Sequence, residues 1–322
     1  MGAGADWVRA GLNTNQPVWG LRGGLQFAIH PGGFRGATGG PRGLIRLGYG
    51  VLSNGVYDLV NFIAVEPTVH GAKGYSELEN SRLDHARGKR FWVATKGASG
   101  RDGLELEPGT LTQPALGVQR LEVPIHIESF DNGAHVSLVV SQRSDAPDEI
   151  EITIRTESGS APIEHCVLTA TMGNMARTRL LWLKNEVASS LALYPDYKDS
   201  GFAPHTSFGL ERLHVTVAGD VLVALTTDEA APAAVFPFPG SRLWHYGGVK
   251  VTQYWRKPKG GYRDDLHAVV NARHVYWQSQ RPIPGGIAFE NFELRERFYD
   301  GQRFVFGITT NSPTRLGFKP AR

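Results

Sequence analysis

Apolar and polar positions alternate with a period of two through most of this chain. The cleanest case is Glu149 to Thr156, where Ile150, Ile152 and Ile154 alternate with Glu149, Glu151, Thr153 and Arg155. That pattern belongs to a strand with one buried face. Solvation alone accounts for its polar side. Val118 to Phe130 and Ala134 to Gln142 flank Asp131-Asn132-Gly133 and read as a hairpin. Leu44 to Glu66 reads as another, folded at Ser53-Asn54-Gly55, because Asn-Gly accepts the positive φ angles of a tight hairpin turn. Its second arm, Val56 to Glu66, is apolar almost throughout, as expected of a central strand covered on both faces. Asp58, Asn61 and Glu66 interrupt it. A buried polar group needs a partner, so these three positions stand out.

The remaining segments continue in short pieces. Residues 1–43 carry Gly-Gly at 23–24, 32–33 and 39–40, and no glycine-rich phosphate motif joins a strand to a helix there. They read as turns between short strands. Residues 67–90 form a long polar loop with His70, Tyr75, Glu77, Glu79, Asp84 and His85, either a lid or binding loop or a disordered stretch. Strands resume over 163–187. There Gly173-Asn174 suits a turn or bulge, and Arg177 and Arg179 share one face. Two arginines at that spacing hold an anion or, the favoured reading, pair with internal acids. Residues 194–215 read as a loop with one helical turn, followed by strands over 215–227 and a connection at 229–240. Gly286 to Phe318 supplies two more strands, with Phe289, Asn291 and Glu293 expected on one face and Glu290 and Phe292 on the other.

At least a dozen short strands with frequent turn signals, and no long amphipathic helix or internal repeat, predict an all-β fold. The expected architecture is one large antiparallel two-sheet β-sandwich spanning residues 1–322. Sandwiches of this size include the galactose-mutarotase-like supersandwich common among carbohydrate-active proteins. That is an analogy of fold, which does not carry function, and no mutarotase motif occurs.

Composition narrows the picture. A chain of 322 residues with 41% hydrophobic content can bury a sizeable core, and 39 Gly with 19 Pro fit many tight turns. The formal charge of +3 is too small to argue for nucleic acid. No apolar run approaches the ~20 residues of a membrane span. Cys166 is the only cysteine, so an intrachain disulfide and a cysteine-rich zinc site are excluded. It sits in a strand-like stretch and reads as a small buried hydrophobe. The N-terminus does not resemble a signal peptide. A soluble protein is expected, periplasmic or secreted if a leader had been removed and cytoplasmic otherwise.

Candidate chemistry concentrates between Trp244 and Trp277. This stretch holds three of the seven Trp and four of the ten Tyr, among His245, His267, His274, Arg256, Arg263, Arg273, Asp264 and Asp265. Aromatic rings with polar tips, set among charges, suit a site that grips a polar ring with apolar faces, such as a sugar. The reading is therefore a carbohydrate-active protein that cleaves glycosidic bonds. Hydrolysis needs two carboxylates flanking the bond, from Asp264, Asp265, Glu290 and Glu66. Elimination on a uronate needs a base and a cation. His205, His245, Tyr246, Tyr262 and His267 offer the base, and Arg256 and Arg263 the cation. Trp244 and Trp255 would stack on sugar rings. Asp264, Asp265 and His267 offer metal-ligand types, but no zinc motif supports them and no motif requires a cofactor. Calcium would need an oxygen-rich loop such as 67–85. A non-catalytic carbohydrate-binding protein and a structural or assembly sandwich are the alternatives.

Overall fold

The computed structural model describes residues 5–34, 42–51, 57–93, 106–171, 177–230, 251–276 and 280–319. The period-two pattern becomes strand after strand. In chain order these are β1 (Trp7–Arg9), β2 (Val18–Leu21), β3 (Gln26–Ala28), β4 (Leu44–Val51), β5 (Tyr57–Val69), β6 (Ala72–Lys73) and β7 (Phe91–Trp92). There follow β8 (Thr110–Ala115), β9 (Val118–Ile127), β10 (Val136–Arg143), β11 (Glu149–Thr156), β12 (His165–Thr171), β13 (Thr178–Trp182) and β14 (Val187–Ser189). The last are β15 (Thr206–Gly209), β16 (His214–Val215), β17 (Val221–Thr227), β18 (Thr252–Lys257), β19 (His267–Arg273), β20 (Ala288–Arg295) and β21 (Arg303–Thr309).

They build two antiparallel sheets. A ten-stranded sheet runs β1-β2-β3-β4-β5-β12-β20-β19-β15, with β6 also on β5. An eleven-stranded sheet runs β14-β13-β17-β18-β21-β11-β10-β9-β7, with β16 on β17 and β8 on β9. The protein is an all-β sandwich. Ile63, Val65, Leu168, Phe292 and Leu294 of the first sheet join Ile150, Ile152, Ile154, Phe304 and Phe306 of the second in one buried cluster. Each such side chain contributes about 1.5–3 kcal/mol by leaving water. Trp255 bridges the layers, its indole N–H donating to the Phe292 carbonyl at 2.8 Å. Cys166 lies in the same core, where burial pushes its thiol far up.

Several local expectations change in three dimensions. The polar side of β11 is not merely solvated. Glu149 pairs with Arg256, and Glu151 with Arg120 at 2.9 Å, while Thr153 is buried. On β20 the register against β19 slips between Val270 and Ala272, so Phe289 and Phe292 both enter the core. The strict alternation that put Phe289 beside Asn291 and Glu293 fails at this bulge, because an inserted residue re-aims everything beyond it. Residues 194–215 contain β15 and β16, with the expected helical turn at Leu210–Arg212, and a further helical turn precedes them at Ser190–Leu193. Arg177 and Arg179 pair with acids of the chain, Arg177 with Glu229 at 2.7 Å and Arg179 with Asp228 at 2.9 Å. The Ser53-Asn54-Gly55 and Gly173-Asn174 turns lie outside the described residues.

The segment after β5 folds back over the ends of β4 and β5. Ser76 donates to the Gly43 carbonyl at 2.6 Å and accepts from the Val65 N–H at 2.9 Å. Gly43 takes a φ of 75°, and a Cβ there would sit 1.9 Å from the Ser76 carbonyl oxygen. Only glycine allows that approach. Lys89, fully buried, is held by Glu79 and Asp131, each at 3.0 Å.

Candidate active site

The outer face of the ten-stranded sheet carries ionisable groups where a core-like strand would not need them. Register places Val167 opposite Glu66 and Ala64 opposite Thr169, so Glu66 and Thr169 project from the same face of β5 and β12. On neighbouring β20, Phe292 and Leu294 point into the core, which turns Glu293 out to that face. Lys73 arrives on β6, opposite Thr68. The four side chains meet. The Lys73 ammonium contacts Glu66 Oε2. The Thr169 hydroxyl lies 3.1 Å from Glu66 Oε2 and also touches Glu293 Oε2. Thr169, Glu293 and Glu66 are 1%, 2% and 4% exposed, so the carboxylates form a desolvated floor, with Lys73 only half-buried at its edge.

Burial pushes the carboxyl of Glu66 above its usual range, and the charge of Glu293 adds to this, while Lys73 opposes it. Burial raises Glu293 as well, against the pull of Lys73 and Thr169. Burial also works against the Lys73 charge, but Glu66 and Glu293 more than offset it and hold the ammonium above its usual value. The hydroxyl gives an independent reason for unequal protonation. It has one proton and two carboxyl neighbours, so it donates to one, and the second contact is closed by a proton on the other carboxyl. Glu66 touches the cation and is the natural anion. Glu293 has no ion pair among the described residues and is the natural acid.

Glu77 extends the cluster. Burial first, then the charge of Glu66, pushes its carboxyl up to about 8. A folded-state value above the unfolded 4.5 means the folded protein retains a proton that the unfolded chain has lost. This contribution to stability is complete below about pH 4.5 and is lost as pH rises through about 8. Urea unfolding at pH 5 and pH 8 is expected to show wild type losing more stability across that window than Glu77→Gln. Parallel pH dependence in the two proteins would remove Glu77 from the cluster's charge balance.

The residues singled out by sequence are dispersed. His205 lies near the cluster. It is exposed, Asn271 Nδ2 stands 3.3 Å from its Nε2, and burial of part of the ring lowers its pKa, with Lys73 adding to the effect. His267 begins β19 on the same outer face, opposite Arg295, with Nδ1 2.8 Å from the Asp265 carbonyl. Tyr262, Asp264 and Asp265 occupy the β18–β19 turn. Tyr262 packs against the core, and Arg297 contacts Asp264 at 3.3 Å and Asp265 at 3.0 Å. Arg263 is exposed beside the Tyr299 ring, and its backbone N–H donates to Glu296 at 2.5 Å. Trp255 is wholly buried and offers no ring face to a ligand. Its neighbour Arg256 projects from the outer face of the other sheet, held by Glu149 and by Asp220 at 2.8 Å. Arg256 and His267 thus lie on opposite sides of the sandwich. Glu290 is buried on β20. Trp244, His245, Tyr246 and Trp277 lie outside the described residues. Among the described residues, no three His, Cys, Asp or Glu converge as metal ligands.

Of the cluster, sequence reasoning marked Glu66, as a charge inside an apolar run. The same signal was available for Glu293 in Phe289-Glu-Asn-Phe-Glu293 and for Thr169 in Val167-Leu-Thr-Ala170. Lys73 carried none.

No family model matches the chain, and no curated protein matches it. Among solved structures it is similar to that of HI1317, at 10% identity over 88% of this chain and 91% of that one, with a TM-score of 0.28. It is also similar to a GalM/aldose epimerase homologue from C. elegans, at 10% identity over 89% and 96% of the two chains, with a TM-score of 0.24. The fold described above rests on strand pairing and not on these likenesses. No helix among the described residues is long and apolar enough to cross a membrane.

Proposed function

We propose that this protein is a carbohydrate-active enzyme that hydrolyses glycosidic bonds on the outer face of its ten-stranded sheet, with Glu66 and Glu293 as the reacting pair. One observation carries the reading: two buried glutamates from separate strands converge on the single hydroxyl of Thr169, with Lys73 against one of them. Such a pair supplies an acid and an anion side by side, the division of labour that glycoside cleavage needs. Glu293, kept protonated by burial, would donate to the departing glycosidic oxygen. Glu66, kept anionic by Lys73, would face the anomeric carbon. Both carboxyls lie within two hydrogen bonds of each other through Thr169. That suits the roughly 5–5.5 Å separation of retaining hydrolysis better than the wider inverting geometry. His205 stands at the rim as a sugar-contacting group. His267, on the same outer face, is a further rim candidate, and Trp244, His245 and Tyr246 remain candidates for sugar contact on sequence grounds.

The test is incubation with a panel of neutral and uronic-acid polysaccharides. Reducing ends and ultraviolet absorbance are followed together, and the first-formed anomer is read by proton NMR. New reducing ends with retained configuration and no unsaturated-uronate band are expected. Appearance of that band would transfer the chemistry to elimination. Retarded migration in polysaccharide gels without products would make the protein a binder.

A further inference from the structure

A charge on the same face as the paired glutamates has no counterpart among the described residues. Leu294 points into the core, so Arg295 emerges on the outer face of β20, two residues on from Glu293. Its charge acts on both Glu293 and His205, which places it toward the cluster. Its Nε is enclosed without a hydrogen-bond partner, while the residue as a whole is half-buried. The two terminal nitrogens are neither bonded nor enclosed among the described residues, so the open part of the side chain is the guanidinium fork. The other charges nearby are matched. Lys73 is held against Glu66, and Glu293 is the protonated member of the pair that meets at Thr169.

His267 stands directly across from Arg295 in the β19–β20 register, close enough for both to touch one guest. The Asp265 carbonyl can only accept, so His267 Nδ1 donates to it at 2.8 Å, and in the neutral ring Nε2 is left as an acceptor. The two strands thus present a cationic donor and an acceptor side by side.

We propose that Arg295 sets the substrate class: the sugar chain taken on this face carries an anionic substituent, a carboxylate or a sulfate ester, on the unit beside the bond that Glu293 meets. The inference rests on the reading of Glu66 and Glu293 as the reacting pair. Residues two apart on one strand stand roughly 7 Å apart, so the guanidinium reaches a substituent of the sugar whose glycosidic oxygen lies at Glu293. A planar fork suits two oxygens of one such group. His267 Nε2 takes a hydroxyl of the same ring. A neutral sugar leaves the guanidinium without a charged acceptor, which is the basis of discrimination.

Polygalacturonate, its methyl ester, a sulfated galactan and a neutral glucan, compared side by side, test it. One of the two anionic polymers is expected to be cleaved with the highest kcat/KM, and the better of them identifies the substituent. In Arg295→Gln, KM for that polymer should rise about tenfold or more, as for the loss of one charge-assisted contact, while kcat moves far less. Arg295→Lys keeps the charge without the fork and should show a smaller rise; it takes over if the glutamine variant fails to fold. Binding is read separately by titration calorimetry with short oligomers of the same polymers, in Glu293→Gln, which keeps the shape and neutrality of the acid. Binding of an anionic oligomer that weakens when Arg295→Gln is added, with no cleavage by the wild type, would keep Arg295 as the anion site and end the hydrolytic reading. Cleavage of the methyl ester or the neutral glucan as readily as the anionic polymers would overturn the inference and leave hydrolysis standing. Absence of binding by both anionic oligomers, or undiminished affinity in the folded Arg295 variants, would also overturn it.

Discussion

Glu296→Ala is expected to be among the most damaging single substitutions outside the candidate site, costing about 3–5 kcal/mol of stability. Lys257 and Glu296 both have wholly buried side chains, with Nζ and Oε1 2.6 Å apart. Glu296 also accepts from the Gln302 amide at 2.8 Å and from the Arg263 N–H at 2.5 Å, so its two oxygens organise three segments. Burial already lowers Lys257 to about 8, even though Glu296 opposes the shift. Without the carboxylate, the ammonium is left over the Phe304 ring, 3.9 Å from its centroid, with no other acid beside it among the described residues. The chain must then discharge the lysine or open. The double variant Lys257→Met/Glu296→Gln should recover much of the loss, since a neutral buried pair carries no unmatched charge. Urea midpoints of the wild type, both single variants and the double variant measure the coupling. A cost below about 1 kcal/mol for Glu296→Ala would mean that the lysine finds water, and the pair would lose its structural role.

Glu66→Gln is expected to cut turnover by about 10²–10⁴-fold, the usual contribution of a positioned acid or base. The amide keeps the shape and can still meet the Thr169 hydroxyl. Lys73, half-exposed, can hydrate once its partner is neutral, so the fold should survive. That separates this variant from Glu296→Ala, where the abandoned cation has no route to water. Glu293→Gln should fail in turnover to a similar degree, and the double variant should fall little further, because the two act as a unit. Steady-state kinetics on whichever polysaccharide is cleaved, beside a thermal unfolding curve, give the answer. Near-normal turnover in both folded single variants would remove the pair from the chemistry.

The candidate site was only partly legible beforehand, and the reasons are physical. Glu66 could be found because a carboxylate within an apolar run must have a partner. That it meets Lys73, Thr169 and Glu293 could not, since they lie on three other strands, and pairing between β5, β12 and β20 is not local. The aromatic stretch pointed elsewhere because nearness in sequence is not nearness in space. Along β18, Trp255 turns into the core while Arg256 turns out toward Glu149 and Asp220. Past the turn, His267 belongs to the other sheet.

By itself, then, the sequence determined the strands and the class. Ile150, Ile152 and Ile154 had to face one way, Tyr57 to Glu66 had to be a central strand, and frequent turn residues had to break the chain into short antiparallel pieces. These follow from local backbone geometry and the period of two. Only tertiary structure decided which strands became neighbours, where the β20 bulge re-aimed Phe289, and which charges met. Strand order and register are settled by burying the whole apolar set at once, and no local window of residues contains that sum.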